Sequence, residues 1–141
     1  MVDLTANKEW DASEIAPKPE MFSELIARHT GPVVVLNLLK FKPDAVDGRT
    51  GAEAFAAYGA AASELVRAHG GEVVWSGKPV AALMGNTSDA WDLVSLMRYP
   101  SAGALAEMTS SLEYKAAHHD RELGIERTTV IACAELPALE P

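Results

Sequence analysis

One strand-like pattern occurs twice. The runs Val33-Val34-Val35-Leu36-Asn37-Leu38-Leu39-Lys40-Phe41 and Trp91-Asp92-Leu93-Val94-Ser95-Leu96-Met97-Arg98-Tyr99 both close on a base followed by an aromatic, and both lead through a proline into a helix-like stretch. The offset, roughly 58 residues, is too long for a stacked solenoid unit. It suits a strand, a crossover helix and a second strand used twice, which is a split βαββαβ arrangement of the α+β class.

The segments between these runs carry boundary signals. Thr50 and Glu53 form a Thr-x-x-Glu capping box, in which side chains at both positions satisfy the free amides of a helix start. Phe55, Tyr58, Ala62, Leu65, Val66 and His69 then recur every three or four residues, as an amphipathic helix requires. Gly70-Gly71 supplies its left-handed cap. Val73 to Met84 reads as a strand interrupted at Gly77 to Pro79, and the proline makes it an edge or bulged strand. Gly85-Asn86-Thr87-Ser88 is the turn that pairs it with Trp91 to Tyr99 in a hairpin. Ser101 is an N-cap for a second helix, interrupted near Thr109 to Ser111, where Ser110 and Glu113 offer another capping box. Gly124 ends it, and Thr128 to Ala134 is the last strand.

Ahead of this core, Pro19 is placed to start a helix carrying Met21, Phe22, Leu25 and Ile26, closed by Gly31-Pro32. That helix packs on the core or on a partner subunit. The expected organisation is therefore an N-terminal extension with a helix over residues 1–31, a βαββαβ domain over 32–136 and a tail over 137–141. Right-handed crossovers predict that the first and third strands lie in the middle, adjacent and parallel, with both long helices on one face. Val34, Leu36 and Leu38 alternate with Val33, Val35 and Leu39, so both faces of the first strand are apolar. An uncovered apolar sheet face is an interface or a hazard. The expectation is an isologous homodimer, sheet against sheet.

Composition removes several classes of function. The chain has 141 residues and a net charge of -8, and no stripe gathers its basic residues, so neither nucleic acid nor an anionic membrane is an expected partner. Cys133 is the single cysteine, which excludes an internal disulfide and a cysteine zinc cluster; its apolar surroundings predict a buried strand thiol. The first residues lack a signal-peptide core and no apolar run approaches membrane-spanning length, so a cytoplasmic protein is expected. Phosphate-binding loops, dinucleotide fingerprints and nucleophile elbows are lacking.

In the order of its elements the chain resembles the dimeric α/β-barrel superfamily. Within it the chain is similar to the bacterial domain-of-unknown-function family thirteen-thirty. The residues carrying that similarity are Asn37-Leu38 with Phe41, Tyr58, Gly70-Gly71 with Trp75 and Gly77, Trp91-Asp92, Tyr99-Pro100-Ser101, Tyr114 and Arg121, spread over residues 32 to 134. The resemblance implies a ferredoxin-like βαββαβ fold with an N-terminal helix, paired into a dimeric α/β barrel. A shorter similarity is to the superfamily's haem-degrading monooxygenases, which carry an Asn on the first strand, a Trp ending the third and a His on the second helix. The matching positions here are Asn37, Tyr99 and His118, the last within Tyr114-Lys115-Ala116-Ala117-His118. A tyrosine stands where those enzymes have the tryptophan, which argues against haem, and the implied pocket lies between sheet and helices.

The residues themselves supply candidates. Asn37 interrupts the most apolar stretch of the chain; a buried amide without partners costs about 1–3 kcal/mol. It either bonds a neighbour such as the Ser95 hydroxyl or orients a ligand oxygen in a pocket. Strand alternation puts Asn37 on one face with Leu39 and Phe41, and Trp91, Ser95 and Tyr99 on that face of the other repeat. Tyr114, His118 and Arg121 share one helix stripe, while Leu112, Ala116, His119 and Leu123 form a competing apolar stripe; if the latter is buried, His118 faces water. An imidazole with an ordinary pKa near 6.5 suits proton transfer. His118 and Glu122 have a usable spacing for a metal but are too few ligands, so no metal is expected. Asp92 reads as a salt bridge or turn cap, and Lys40 and Arg98 as dimer rim or anion-holding groups.

The leading expectation is a small cofactor-independent enzyme acting by proton transfer, or in a monooxygenase-like way, on a hydrophobic carbonyl or aromatic metabolite. Asn37 and His118 would be its catalytic groups. Tyr58, Trp91, Ser95, Tyr99, Tyr114 and Arg121 would bind substrate. The alternative is a non-catalytic ligand-binding or stress-associated homodimer.

Overall fold

A computed structural model of the chain describes residues 18–45, 47–85 and 90–137. The polar lead through Pro17, the turn at residues 86–88 and the tail past Pro137 lie outside the described residues. In chain order the elements are α1 (Pro19–Arg28), β1 (Val33–Phe41), α2 (Gly51–Ala68), β2 (Glu72–Gly77), β3 (Leu93–Tyr99), α3 (Ala102–Ser110), α4 (Leu112–Gly124) and β4 (Ile125–Ala134). They build one four-stranded sheet in the order β2-β3-β1-β4.

The first and third strands are adjacent, as expected, but antiparallel rather than parallel. The crossovers join strands that are parallel yet not neighbours: α2 carries the chain from β1 past β3 to β2, and the α3–α4 pair carries it from β3 past β1 to β4. Asn37 and Ser95, equivalent positions of the repeat, face each other directly in the β1–β3 ladder. A pseudo-twofold axis therefore passes between them, and strands related by such an axis must run in opposite directions.

The boundary signals work as the chemistry requires. Thr50 Oγ1 accepts from Glu53 N at 3.1 Å and Glu53 Oε1 accepts from Thr50 N at 3.0 Å, completing the capping box. Gly70 takes a φ of 83°, the left-handed cap of α2. Ser101 Oγ accepts from Ala104 N at 3.0 Å and starts α3. The second helix breaks one residue later than expected. Ser111, not Ser110, caps α4 by accepting from Tyr114 N at 3.1 Å, while Ser110 turns back to the carbonyls of Ala106 and Glu107. β2 stops at Gly77, because Pro79 cannot donate to a ladder; β4 starts earlier than expected, at Ile125.

One face of the sheet is covered. Val33, Val35 and Tyr99 from the strands meet Tyr58, Ala62 and Val66 of α2, Leu105 and Met108 of α3, and Tyr114 and Ala117 of α4. α1 packs against α3, and its Phe22 and Leu25 extend the core. Lys42 N donates to Gly124 O at 2.9 Å and Gly51 N to Lys42 O at 3.1 Å, tying the start of α2 to the end of α4. The opposite face carries Val34, Leu36, Leu38, Val94 and Leu96, all half-buried, with Trp75 left 55% exposed beside them. Cys133 belongs to that face and is exposed, not a buried thiol, because β4 has no cover there. Among the described residues no helix is long and apolar enough to cross a membrane.

Candidate functional site

The covered face holds a polar cluster inside the core. On α4 it is the polar stripe that turns inward. Tyr114, His118 and Arg121 are buried, with His118 only 7% exposed, whereas Leu112 of the competing stripe is 80% exposed and Ala116 and His119 face solvent. The reason lies opposite, on α2, where Tyr58 meets the stripe with a hydroxyl and a ring face. Tyr58 and Tyr114 share a hydrogen bond between hydroxyls at 3.1 Å. Their rings stand edge to face, 6.1 Å apart between centroids. The His118 ring lies 5.6 Å from Tyr114 and 6.4 Å from Tyr58. The Arg121 guanidinium sits over the Tyr58 ring at 5.8 Å.

The cluster is anchored to the sheet through Thr128. Arg121 Nη2 donates to Thr128 Oγ1 at 3.3 Å, and Thr128 Oγ1 donates to Leu38 O at 2.8 Å. Thr128 is opposite Leu39 in the ladder, two positions from the Asn37–Val130 pair, so Arg121 and Asn37 overlie neighbouring parts of the same face. The Asn37 amide is half-buried and reaches Val35 O only at a long 3.4 Å. Ser95 is buried, and among the described residues neither its hydroxyl nor Asn37 Oδ1 has a hydrogen-bond partner. Of the alternatives open for Asn37, the hydrogen bond to Ser95 is not made; the two face each other across the ladder without bonding.

Electrostatics fix the protonation pattern. Burial pushes the Tyr114 hydroxyl well above the ordinary phenol range, and the neighbouring Tyr58 adds to it while Arg121 opposes. Burial likewise raises the Tyr99 hydroxyl, with Tyr58 contributing. Both therefore remain neutral donors. His118 Nδ1 lies 2.9 Å from Glu122 Oε1. A carboxylate can only accept, so Nδ1 carries the proton, and in a neutral imidazole the buried Nε2 is then the basic nitrogen.

Of the eight predicted site residues, four are in direct contact: Tyr58, Tyr114, His118 and Arg121. Tyr99 is within electrostatic reach of Tyr58 and Tyr114, and Asn37 and Ser95 line the same face of the sheet. Trp91 is elsewhere. It precedes β3, and the Arg127 guanidinium stands over its ring at 5.3 Å. Sequence reasoning missed Thr128 as the anchor of Arg121; its inward position in β4 was the available signal. It also gave Glu122 only a metal-ligand reading, although the i, i+4 spacing equally describes a hydrogen-bonded dyad. Among the described residues no group of three His, Cys, Asp or Glu is placed to hold a metal ion.

Two other expectations concern the open side. Arg98 bridges Glu72 and Glu135, so its charge is already neutralised. Asp92 is a cap and an ion pair: its carboxylate accepts from Phe41 N at 2.9 Å and holds Lys40 Nζ at 3.5 Å.

An antiparallel four-stranded sheet with its helices on one face defines the class as a ferredoxin-like α+β protein. Within it the chain belongs to the family Domain of unknown function (DUF1330), which matches over residues 46–134. A solved protein of unknown function from Rhodopseudomonas palustris is 35% identical, over 89% of this chain and 98% of that chain, with a TM-score of 0.80. A dabb family protein with a ferredoxin-like fold from Mesorhizobium loti is 14% identical over 76% of this chain and 99% of its own, with a TM-score of 0.51. A putative antibiotic biosynthesis monooxygenase from Caulobacter crescentus is 14% identical over 84% and 99%, with a TM-score of 0.50. At that identity the last two share the fold. No curated protein matches the chain.

Proposed function

We propose that the space between the sheet and the α2–α4 layer is the site of a small cofactor-independent enzyme acting on a hydrophobic carbonyl or aromatic metabolite. The observation that carries the proposal is the buried Tyr58–Tyr114–His118–Arg121 cluster facing a sheet on which Asn37 and Ser95 keep unmet hydrogen-bonding capacity. Neither group is fully shut away, and a ligand oxygen or hydroxyl entering there would meet that capacity. In this reading His118 Nε2 takes a proton from the carbon beside a carbonyl, and the Asn37 amide donates to the oxygen as charge develops there. Glu122 holds the required tautomer. Tyr58, Tyr99 and Tyr114 shape the cavity, and Tyr99 and Tyr114 donate as neutral hydroxyls. Oxygen insertion, the activity named for the Caulobacter crescentus fold relative, is the neighbouring chemistry. The functional unit in this reading is residues 32–136 as a homodimer, joined through the open apolar face and carrying α1 of the N-terminal extension on α3.

Asn37→Leu tests the proposal through the sign of one quantity. If the amide is held for a ligand, the substitution removes an under-used polar group; stability to denaturant stays equal or rises, and binding of whatever small molecule co-purifies with the protein weakens. If the amide is structural, its loss costs about 1–3 kcal/mol and ligand retention is unchanged. Denaturant unfolding, with mass spectrometry of the co-purified ligand, separates the two. A ligand that is retained but never converted, by wild type and His118→Ala alike, would favour the non-catalytic binding reading.

A further inference from the structure

A second concavity shares no residue with the polar cluster. It is a cleft of about 490 Å³ at the end of β1, where the chain turns into α2. The chain is acidic, with 20 Asp and Glu against 12 Lys and Arg, yet Lys40, Lys42 and Lys78 all line this cleft. Asp92, also on its wall, is already engaged with Phe41 N and Lys40. Among the described residues Lys42 and Lys78 have no ion pair. Glu126 is the other carboxylate on the lining, so among the described residues two ammonium groups without an ion pair share the cleft with one acid.

Lys42 does not occupy its place by chance. Its amide donates to Gly124 O and its carbonyl accepts from Gly51 N, so its backbone is fixed from both helices. Phe41, Pro43 and Ala52 give the lining an apolar part, and the Phe41 ring is held 5.2 Å from that of Phe55. Two ammonium groups on one cleft wall, outnumbering the one acid left for them there, favour an anion. An apolar part of the same lining favours an anion with an apolar body.

We propose that this cleft binds a small organic anion, a phosphate monoester or carboxylate on an apolar or aromatic body. Lys42 and Lys78 hold the anionic group, and Phe41 and Pro43 lie against the body. The cleft is a site separate from the His118 cluster.

Titration calorimetry of the full chain at low salt, with phenyl phosphate, benzoate, inorganic phosphate and phenol as probes, tests this. Saturable binding of phenyl phosphate or benzoate is expected, whichever is tighter identifying the head group. Inorganic phosphate should bind about tenfold more weakly than phenyl phosphate, and phenol not measurably, at about 1.4 kcal/mol per factor of ten. The double substitution Lys42→Gln with Lys78→Gln should weaken the tighter probe by at least about tenfold and flatten its salt dependence, with an unchanged unfolding midpoint. His118→Ala should leave binding intact. No saturable binding of either organic anion, or equal binding by the double variant, overturns the proposal. Loss of binding in His118→Ala alone also overturns it, by placing the anion in the polar cluster.

Discussion

The two faces of the sheet are built from one alternating sequence and end in opposite conditions. On the helix side, Val33, Val35 and Leu39 are buried under three helices, and even histidine, arginine and two tyrosines are taken into the core with partners. On the other side, Val34, Leu36, Leu38, Val94 and Leu96 are equally apolar but only half-buried, and Trp75 and Ile131 are largely exposed. Polarity therefore does not sort these residues; cover does. Nothing in the chain's own described structure supplies that cover; the homodimer proposed above would supply it.

The largest effect expected is on that face. Leu96→Glu places a carboxylate at its centre, and in an isologous interface the change counts twice. The wild type should sediment near twice 15.0 kDa. The variant should sediment near 15.0 kDa with its secondary structure retained. A wild type that is a stable, well-folded monomer at micromolar concentration would break the comparison outright.

The closed face should fail differently, by local collision. Gly51 and Gly124 are where α2 and α4 touch. A β-carbon on Gly51 would strike Lys42 O and lie 2.7 Å from Gly124 O, and one on Gly124 would lie 2.5 Å from Gly51 O. These neighbours are backbone and cannot swing aside. Gly51→Ala should cost about 3 kcal/mol or more in denaturant unfolding, at the upper end of overpacking effects. An alanine variant within experimental error of the wild type would mean that the two helices do not meet at these glycines.

A smaller effect is expected at the rim. Thr50→Ala removes the acceptor for Glu53 N and should cost about 1 kcal/mol. An unchanged unfolding midpoint would show that the α2 start is held by its ties to Lys42 rather than by its cap.

The same comparison explains what could be read from the chain. The repeat carried the fold because it is a statement about pairing: equivalent residues Asn37 and Ser95 do face each other. It does not carry direction, since crossover rules describe the strands a helix joins and not the strand inserted between them. Cys133 was expected buried because an apolar run shows hydrophobicity, not whether a layer lies above it. The α4 stripe was ambiguous for the same reason. Two stripes of similar breadth compete, and only the hydroxyl and ring of Tyr58 on another element decide which one turns inward. Trp91 lies two residues before the real start of β3, where the chain no longer alternates, so strand alternation does not place it.

The smallest effect tests whether the closed face keeps its hydroxyls dry. Tyr114 and Tyr99 are both held above the ordinary value of 10.0, first by burial and then by the Tyr58 neighbour. In the unfolded chain these phenols ionise near 10.0. Their folded values are raised, so the stability from keeping them neutral is fully present below pH 10 and is lost as pH rises above it. The denaturant midpoint should hold steady to about pH 9 and fall beyond about pH 10. The wild-type curve alone does not isolate the phenols. Tyr114→Phe does: it should cost about 1 kcal/mol at neutral pH by leaving the Tyr58 hydroxyl without its partner, and then lose stability less steeply than the wild type above about pH 10. Parallel curves for the two proteins would mean that the Tyr114 hydroxyl meets solvent, and that the covered face is more open at its centre than the packing around His118 implies.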